Sequence, residues 1–147
     1  MIEKSITKIN YLIGIIPDLL KNIPDSEFSN KPATDKWSKK EILGHLIDSA
    51  TNNHHRFVRL QFENEPLISY DQNKWNEYSR YNELDKNHLI KFWTLYNTHL
   101  IELIKRIPES KYNRKVRVKE ENFMTLELLV EDYVRHMEHH LKQMVNY

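Results

Sequence analysis

The sequence predicts an all-α fold: a four-helix bundle with one long crossover loop and a short hairpin before the last helix. Apolar residues recur every three to four positions over four separate stretches, which is the period of amphipathic helices. Two Gly and five Pro in 147 residues give too few turn signals for a fold of many strands. The length is typical of one domain, so we expect a single domain over residues 1–147.

The first two predicted helices are separated by a polar loop. The first helix covers about residues 3–22, and Pro17 inside it is expected to kink or divide the helix. Ser38, with Glu41 three residues later, has the spacing of a capping box. A second helix should therefore begin at this point and run to about Glu63.

The stretch from residue 64 to residue 82 has no sustained period and predicts a long crossover loop. Long connections inside compact domains often carry function. The aromatic residues of this stretch, Tyr70 and Trp75 among them, could form a wall or lid over a site. They could equally pin the crossover to the bundle, and the sequence leaves both interpretations open.

The third and fourth predicted helices flank the hairpin. The third runs from about Glu83 to Ile107, and Pro108 ends it. Residues 115–124 have the pattern of a short hairpin, and Thr125 is a suitable cap for the fourth helix.

The fourth helix carries two histidines at metal-ligand spacing. On a helical projection, His140 falls within the apolar stripe centred on Tyr133, and His136 falls at the edge of that stripe. His45 on the second helix offers a third imidazole, and three neutral nitrogens leave coordination positions open, as catalytic metal sites require. A pair of histidines four residues apart also arises by chance in a chain with eight His, so purely structural histidines are the alternative.

A polar stripe beside the apolar stripe of the second helix predicts a pocket wall between helices. Its members follow at steps of four, three and four residues: His45, Ser49, Asn52 and Arg56. Arg56 is expected to anchor a substrate carboxylate or phosphate. Asp48 is expected to point away from this stripe, either as a structural hydrogen-bonding residue or as support for the metal ligands. The alternative is a solvated helix face with the Arg56 stem lying over the core.

Composition excludes several classes of function. The 22 basic and 21 acidic residues nearly cancel, so no strong field predicts binding to nucleic acid or to a membrane surface. No apolar run approaches the length of a membrane span, and the first residues lack the pattern of a signal peptide. The absence of Cys excludes disulfides, zinc–thiolate sites and a Cys nucleophile, and it agrees with a cytoplasmic location.

Three motifs give the chain a resemblance to a known family. They are the stretch from Lys36 to Ser49 continued by Asn52 and Arg56, the pair Tyr70-Asp71 with Trp75 four residues on, and the terminal His136-x-x-His139-His140. In this order they resemble the DinB-like superfamily, in its branch of YfiT-type metal-dependent hydrolases and bacillithiol transferases. The similarity runs from about Trp37 to Met144.

The resemblance implies a four-helix bundle, often a homodimer, with a nickel or zinc ion held by three histidines. Carried over position by position, the ligands are His45, His136 and His140. Relatives in this branch carry a further His where this chain has Gln143. The candidate pocket residues beside the metal are Asn52, Arg56, Tyr70 and Trp75.

The function that follows is a metal-dependent thiol S-transferase or hydrolase acting on a small molecule. A metal held by neutral histidines can acidify a bound water or hold a thiol as thiolate, so no catalytic side chain is assigned. Because the chain has no Cys, the thiol would come from a low-molecular-weight cofactor such as bacillithiol. The alternative is a non-catalytic, stress-associated metal-binding bundle that acts as a dimer, which requires that the crossover close the open face of the metal.

Overall fold

The computed structural model describes residues 2–119 and 122–147 of the chain. Its helices are α1 (Ile2–Lys21), α2 (Asp25–Ser29), α3 (Lys39–Arg59), α4 (Gln72–Ser79), α5 (Lys86–Ile104) and α6 (Leu126–Leu141). Two antiparallel strands, β1 (Lys115–Lys119) and β2 (Asn122–Thr125), pair as a hairpin, and residues 120 and 121 lie outside the described residues. The four long helices and the hairpin confirm the predicted fold class.

The four long helices, α1, α3, α5 and α6, share one apolar core. Helices α1 and α3 each pack against both α5 and α6, so α3 and α6 are neighbours along their length. Side chains from all four helices are fully buried at the centre: Leu12, Ile16, Leu46, Phe57, Trp93, Leu100, Val130 and Met137. None of the described helices combines the length and the apolar character needed to cross a membrane.

Helix α1 continues through Pro17, so the proline does not divide it as the sequence suggested it could. A proline in a helix removes one hydrogen bond to the carbonyl four residues earlier. Burial compensates here, because Ile16 and Leu20 on either side of Pro17 have no exposed surface. Among the large hydrophobic side chains of α1, Tyr11 is exposed, and Ile6, Ile13, Ile15 and Leu19 are partly buried.

The capping box predicted for α3 is present. The Ser38 hydroxyl accepts a hydrogen bond from the Glu41 amide at 3.1 Å, and the Glu41 carboxylate accepts one from the Ser38 amide at 2.8 Å. Helix α3 ends at Arg59, four residues earlier than predicted. Arg114 donates to the carbonyl oxygen of Leu60 at 2.5 Å, just beyond this end.

The crossover contains regular structure that the sequence did not predict. Asp71 caps α4 by accepting hydrogen bonds from the amides of Asn73 and Lys74, and a 3-10 turn at Tyr81–Glu83 follows. The start of the crossover pairs with β1 through hydrogen bonds between Pro66, Ile68 and Arg117. Helix α4 has eight residues and α2 has five, so neither is long enough to show a clear helical period.

Tyr81, at the end of the crossover, packs against α3 and forms a hydrogen bond with it. Its ring packs on Gly44, where a Cβ atom would lie 2.1 Å from a ring carbon. Its hydroxyl donates to the carboxylate of Asp48, which is 3% exposed and has the structural role predicted for it. Gly44 is therefore needed for close approach of the aromatic ring, one residue before His45.

Gly44→Ala should destabilise the protein by about 1–3 kcal/mol, because Tyr81 must move away from α3 to admit the methyl group. Chemical denaturation monitored by circular dichroism measures this difference. Gly14→Ala is the matched control: no atom lies within 4 Å of the added Cβ, so this helical substitution should be neutral or stabilising by up to about 1 kcal/mol. Equal effects of the two substitutions would contradict the Tyr81 contact.

Asp48→Asn tests the buried carboxyl through its pH dependence. Burial raises the pKa of Asp48 from 3.8 to about 6, against the opposing effect of the hydrogen bond from Tyr81. A folded-state pKa above the unfolded value contributes stability at low pH that is lost as the pH rises through 6. The amide cannot ionise, so between pH 4 and pH 8 the variant should gain roughly 2–3 kcal/mol relative to wild type. A stability difference that does not change with pH would show that Asp48 is not buried as described.

Candidate metal centre

The packing of α3 against α6 brings three histidines together. His45 comes from α3, and His136 and His140 stand one turn apart on α6. One ring nitrogen of each lies within 4.8 Å of the other two, and the ring centroids are 4.6–4.9 Å apart. The Nε2 atoms of His45 and His136 are 3.0 Å apart. In the described part of the chain, this is the one group of three or more His, Asp or Glu with such convergent ligand atoms.

The register of α6 follows from its cap and its buried face. The Thr125 hydroxyl accepts a hydrogen bond from the Leu128 amide, which fixes where the helix begins. Tyr133 and Met137 are buried in the core. His136, predicted at the edge of the apolar stripe, and His140, predicted within it, are both half-buried, whereas His45 has no exposed surface.

Burial keeps the three imidazoles neutral. Desolvation, followed by the neighbouring His136 and His140 rings, lowers the pKa of His45 to about 3. Desolvation and then His140 lower the pKa of His136 to about 4, and desolvation also lowers the pKa of His140. Neutral imidazoles carry the lone pairs that a metal ion needs.

Two of the rings have hydrogen-bond partners on their outer nitrogen. The Nδ1 atom of His136 lies 3.5 Å from the Ser49 hydroxyl, and Nδ1 of His140 lies 3.1 Å from Oε1 of Gln143. Nδ1 of His45 is buried without a hydrogen-bond partner among the described residues. The ring of His45 instead packs against Trp37, with 4.9 Å between ring centroids.

A cleft of about 590 Å³ opens beside His140. It is lined by the segment before α3, by α3 and α4, and by the end of α6, through Pro32, Asp35, Lys36, Trp37, Ile42, Asn73, His140 and Gln143. The wall therefore combines apolar side chains with a lysine, an aspartate and two amides. This volume is in the range of small-molecule sites.

None of the four predicted pocket residues, Asn52, Arg56, Tyr70 and Trp75, is among the residues that line this cleft. Arg56 donates to the Ile68 carbonyl at 2.9 and 3.3 Å, so its guanidinium binds the crossover. Asn52 is buried and donates to the Asp48 carbonyl on its own helix. Tyr70 packs edge-on against Trp75, 5.3 Å between ring centroids, and its hydroxyl faces Ser49.

Sequence reasoning missed most of the residues that line the cleft. Trp37 was present in the motif that carries the family resemblance, although its position against His45 depends on the fold. Gln143 could have been found from its spacing, because a residue three positions after a helical histidine lies on the same face. Lys36 and Asn73 lie on connecting segments, whose placement depends on contacts distant in sequence.

The chain matches a family model described as the DinB superfamily over residues 15–144. YfiT from Bacillus subtilis, described as a probable metal-dependent hydrolase with an unusual four-helix bundle topology, superposes with a TM-score of 0.88 at 21% identity, over 97% of this chain and 83% of that chain. A mycothiol-dependent maleylpyruvate isomerase superposes with a TM-score of 0.79 at 12% identity, over 97% of this chain and 60% of that chain.

A third solved structure is more distant in shape. The DinB-like protein YjoA from Bacillus subtilis gives a TM-score of 0.60 at 16% identity, over 98% of this chain and 93% of that chain. No curated protein sequence matches the chain. At these levels of identity the solved structures establish a shared fold.

Proposed function

Because this chain belongs to the DinB superfamily, as the sequence motifs predicted, we propose that it is an enzyme that uses one divalent transition metal, zinc or nickel. The ligands in this proposal are His45, His136 and His140. The observation that carries it is the convergence of three neutral imidazoles beside an open cleft of about 590 Å³.

The residues present fit such a metal. Their ligand atoms are all nitrogen, which suits zinc and nickel better than magnesium or calcium. Three neutral ligands leave the charge of the ion undiminished and leave further coordination positions free. A bound ion would supply Lewis acidity, which lowers the pKa of a water or thiol that binds to it.

The protein side chains would hold the reactants. Trp37 and Ile42 give the cleft an apolar wall that excludes water from one side of the substrate. Lys36 and Asn73 offer donors to a polar or anionic substrate group. Arg56, through its bond to the Ile68 carbonyl, would hold the crossover and with it Tyr70 in place.

The reaction we propose is transfer of a low-molecular-weight thiol, such as bacillithiol, to an electrophile, or hydrolysis of a small substrate. Two observations support these two candidate reactions. The solved structures of similar fold include one described as a metal-dependent hydrolase and one described as mycothiol-dependent. The chain contains no Cys, so a thiol reaction needs an external thiol.

A non-catalytic metal-binding bundle is the alternative, and it requires that the crossover close over the histidines. Of residues 64–82, the cleft lining includes Asn73 alone, and the cleft stays open beside His140. This arrangement favours an enzyme. A homodimer remains part of the proposal, and it rests on the family resemblance.

Protein purified without added metal and without a His-rich tag should contain about one equivalent of transition metal per chain by elemental analysis. His136→Ala should lose this metal, because one of three ligands is removed. His88→Ala, an exposed histidine on α5, is the matched control and should keep it. Absence of metal from wild type, with no uptake of added zinc or nickel, would refute the proposed centre.

Metal-loaded wild type should catalyse the reaction of bacillithiol with an aryl halide, or the hydrolysis of an activated ester, in a spectrophotometric assay. His136→Ala should lower kcat/KM by roughly 100-fold or more, because the Lewis acid is lost. Trp37→Ala should mainly raise KM, since it removes a cleft wall. Activity with the ester and none with any thiol would refute the transferase half of the proposal.

A further inference from the structure

Gln143 bridges two histidines at the rim of the cleft. Its Oε1 atom lies 3.1 Å from Nδ1 of His140, and its Nε2 atom lies 3.2 Å from Nε2 of His139. Gln143 also lines the cleft beside His140. The other outer-nitrogen contact in the centre, between Ser49 and His136, is longer at 3.5 Å.

The chemistry of the amide determines which ring nitrogen of His140 carries the proton. An amide oxygen only accepts hydrogen bonds, so Nδ1 of a neutral His140 must be the donor. Its Nε2 atom then has a free lone pair. Ser49 cannot impose the same choice on His136, because a hydroxyl both donates and accepts.

The other end of the Gln143 amide faces His139. The Gln143 amide nitrogen only donates, so Nε2 of His139 must accept this hydrogen bond. If the amide were rotated by half a turn, its NH2 group would face Nδ1 of His140. That nitrogen would then need the lone pair, and the proton would move to Nε2, where it would block metal binding.

We propose that Gln143 is a positioning residue that holds His140 in its Nδ1–H tautomer, so that Nε2 is available to a metal, with the amide nitrogen of Gln143 turned toward His139. The inference rests on the proposed metal centre for its purpose. The tautomer itself belongs to the metal-free protein and can be measured there.

The first experiment is long-range ¹⁵N–¹H NMR of metal-free protein at pH 8, which distinguishes the two neutral tautomers of each histidine. Loss of one set of signals in His140→Ala assigns them. We expect wild-type His140 to be Nδ1-protonated, and Gln143→Leu to shift His140 toward the Nε2-protonated form. Gln143→Glu keeps an acceptor and should retain the wild-type tautomer. Lys142→Leu, an exposed neighbour on the same turn, is the control and should change nothing.

The second experiment is titration of the same proteins with zinc against a competing chelator. Loss of an outer hydrogen bond to a metal-binding histidine typically costs about 10- to 100-fold in affinity, and we expect that loss for Gln143→Leu. The zinc affinity of Gln143→Glu should stay within a few-fold of that of wild type, because the carboxylate keeps the acceptor oxygen. If the glutamine served only to stabilise the fold, this rescue would not be expected. His139→Ala should weaken binding less than Gln143→Leu, because the Gln143 acceptor remains.

The two experiments separate the two possible failures. An Nε2-protonated His140 in wild type, or a tautomer unchanged in Gln143→Leu, would overturn the role of Gln143 whether or not metal binds. Zinc affinity that is equal in wild type and Gln143→Leu would also overturn it. A wild-type protein that shows the expected tautomer and binds no zinc would overturn the metal centre and leave the tautomer assignment standing.

Discussion

The arrangement depends on one constraint: three imidazoles within a few ångströms of one another, one of them wholly buried, must be uncharged together. Protonation of His45 or His136 would place a cation in a low-dielectric site next to other rings, which is unfavourable. The pKa of His45 is therefore lowered to about 3 and that of His136 to about 4. His45 is wholly buried, His136 and His140 are half-buried, and one ring nitrogen of each lies within 4.8 Å of the other two. In the proposed function, these three nitrogen atoms are the ligands of a borderline divalent cation.

The rest of the bundle holds the two ligand-bearing helices in register. On α3, Tyr81 packs on Gly44 and bonds Asp48, and Arg56 bonds the Ile68 carbonyl, so both ends of the crossover are tied to this helix. These contacts hold the crossover along α3 while the cleft beside His140 stays open. A long connection thus serves to position helices here, and only Asn73 of it reaches the cleft lining.

Much of this could be predicted from the sequence, and the limits have physical causes. Helical periodicity located the four long helices and placed His136 at the edge of the last apolar stripe, and residue spacing located the Ser38 capping box, because these patterns are local. Helices α2 and α4 are too short for a period: Asp71 caps α4, and α2 is held by its buried Phe28. The hydrogen bonding of Arg56 and the placement of Trp37 depend on segments that meet only in the folded chain.

The most direct test of the central claim is X-ray absorption spectroscopy of protein loaded with one equivalent of zinc. The account predicts three imidazole nitrogens at about 2.0–2.1 Å, completed by at least one oxygen ligand, and loss of this signature in His45→Ala. A spectrum with one or no imidazole ligand, or an unchanged three-imidazole spectrum in His45→Ala, would place the metal elsewhere and contradict the account.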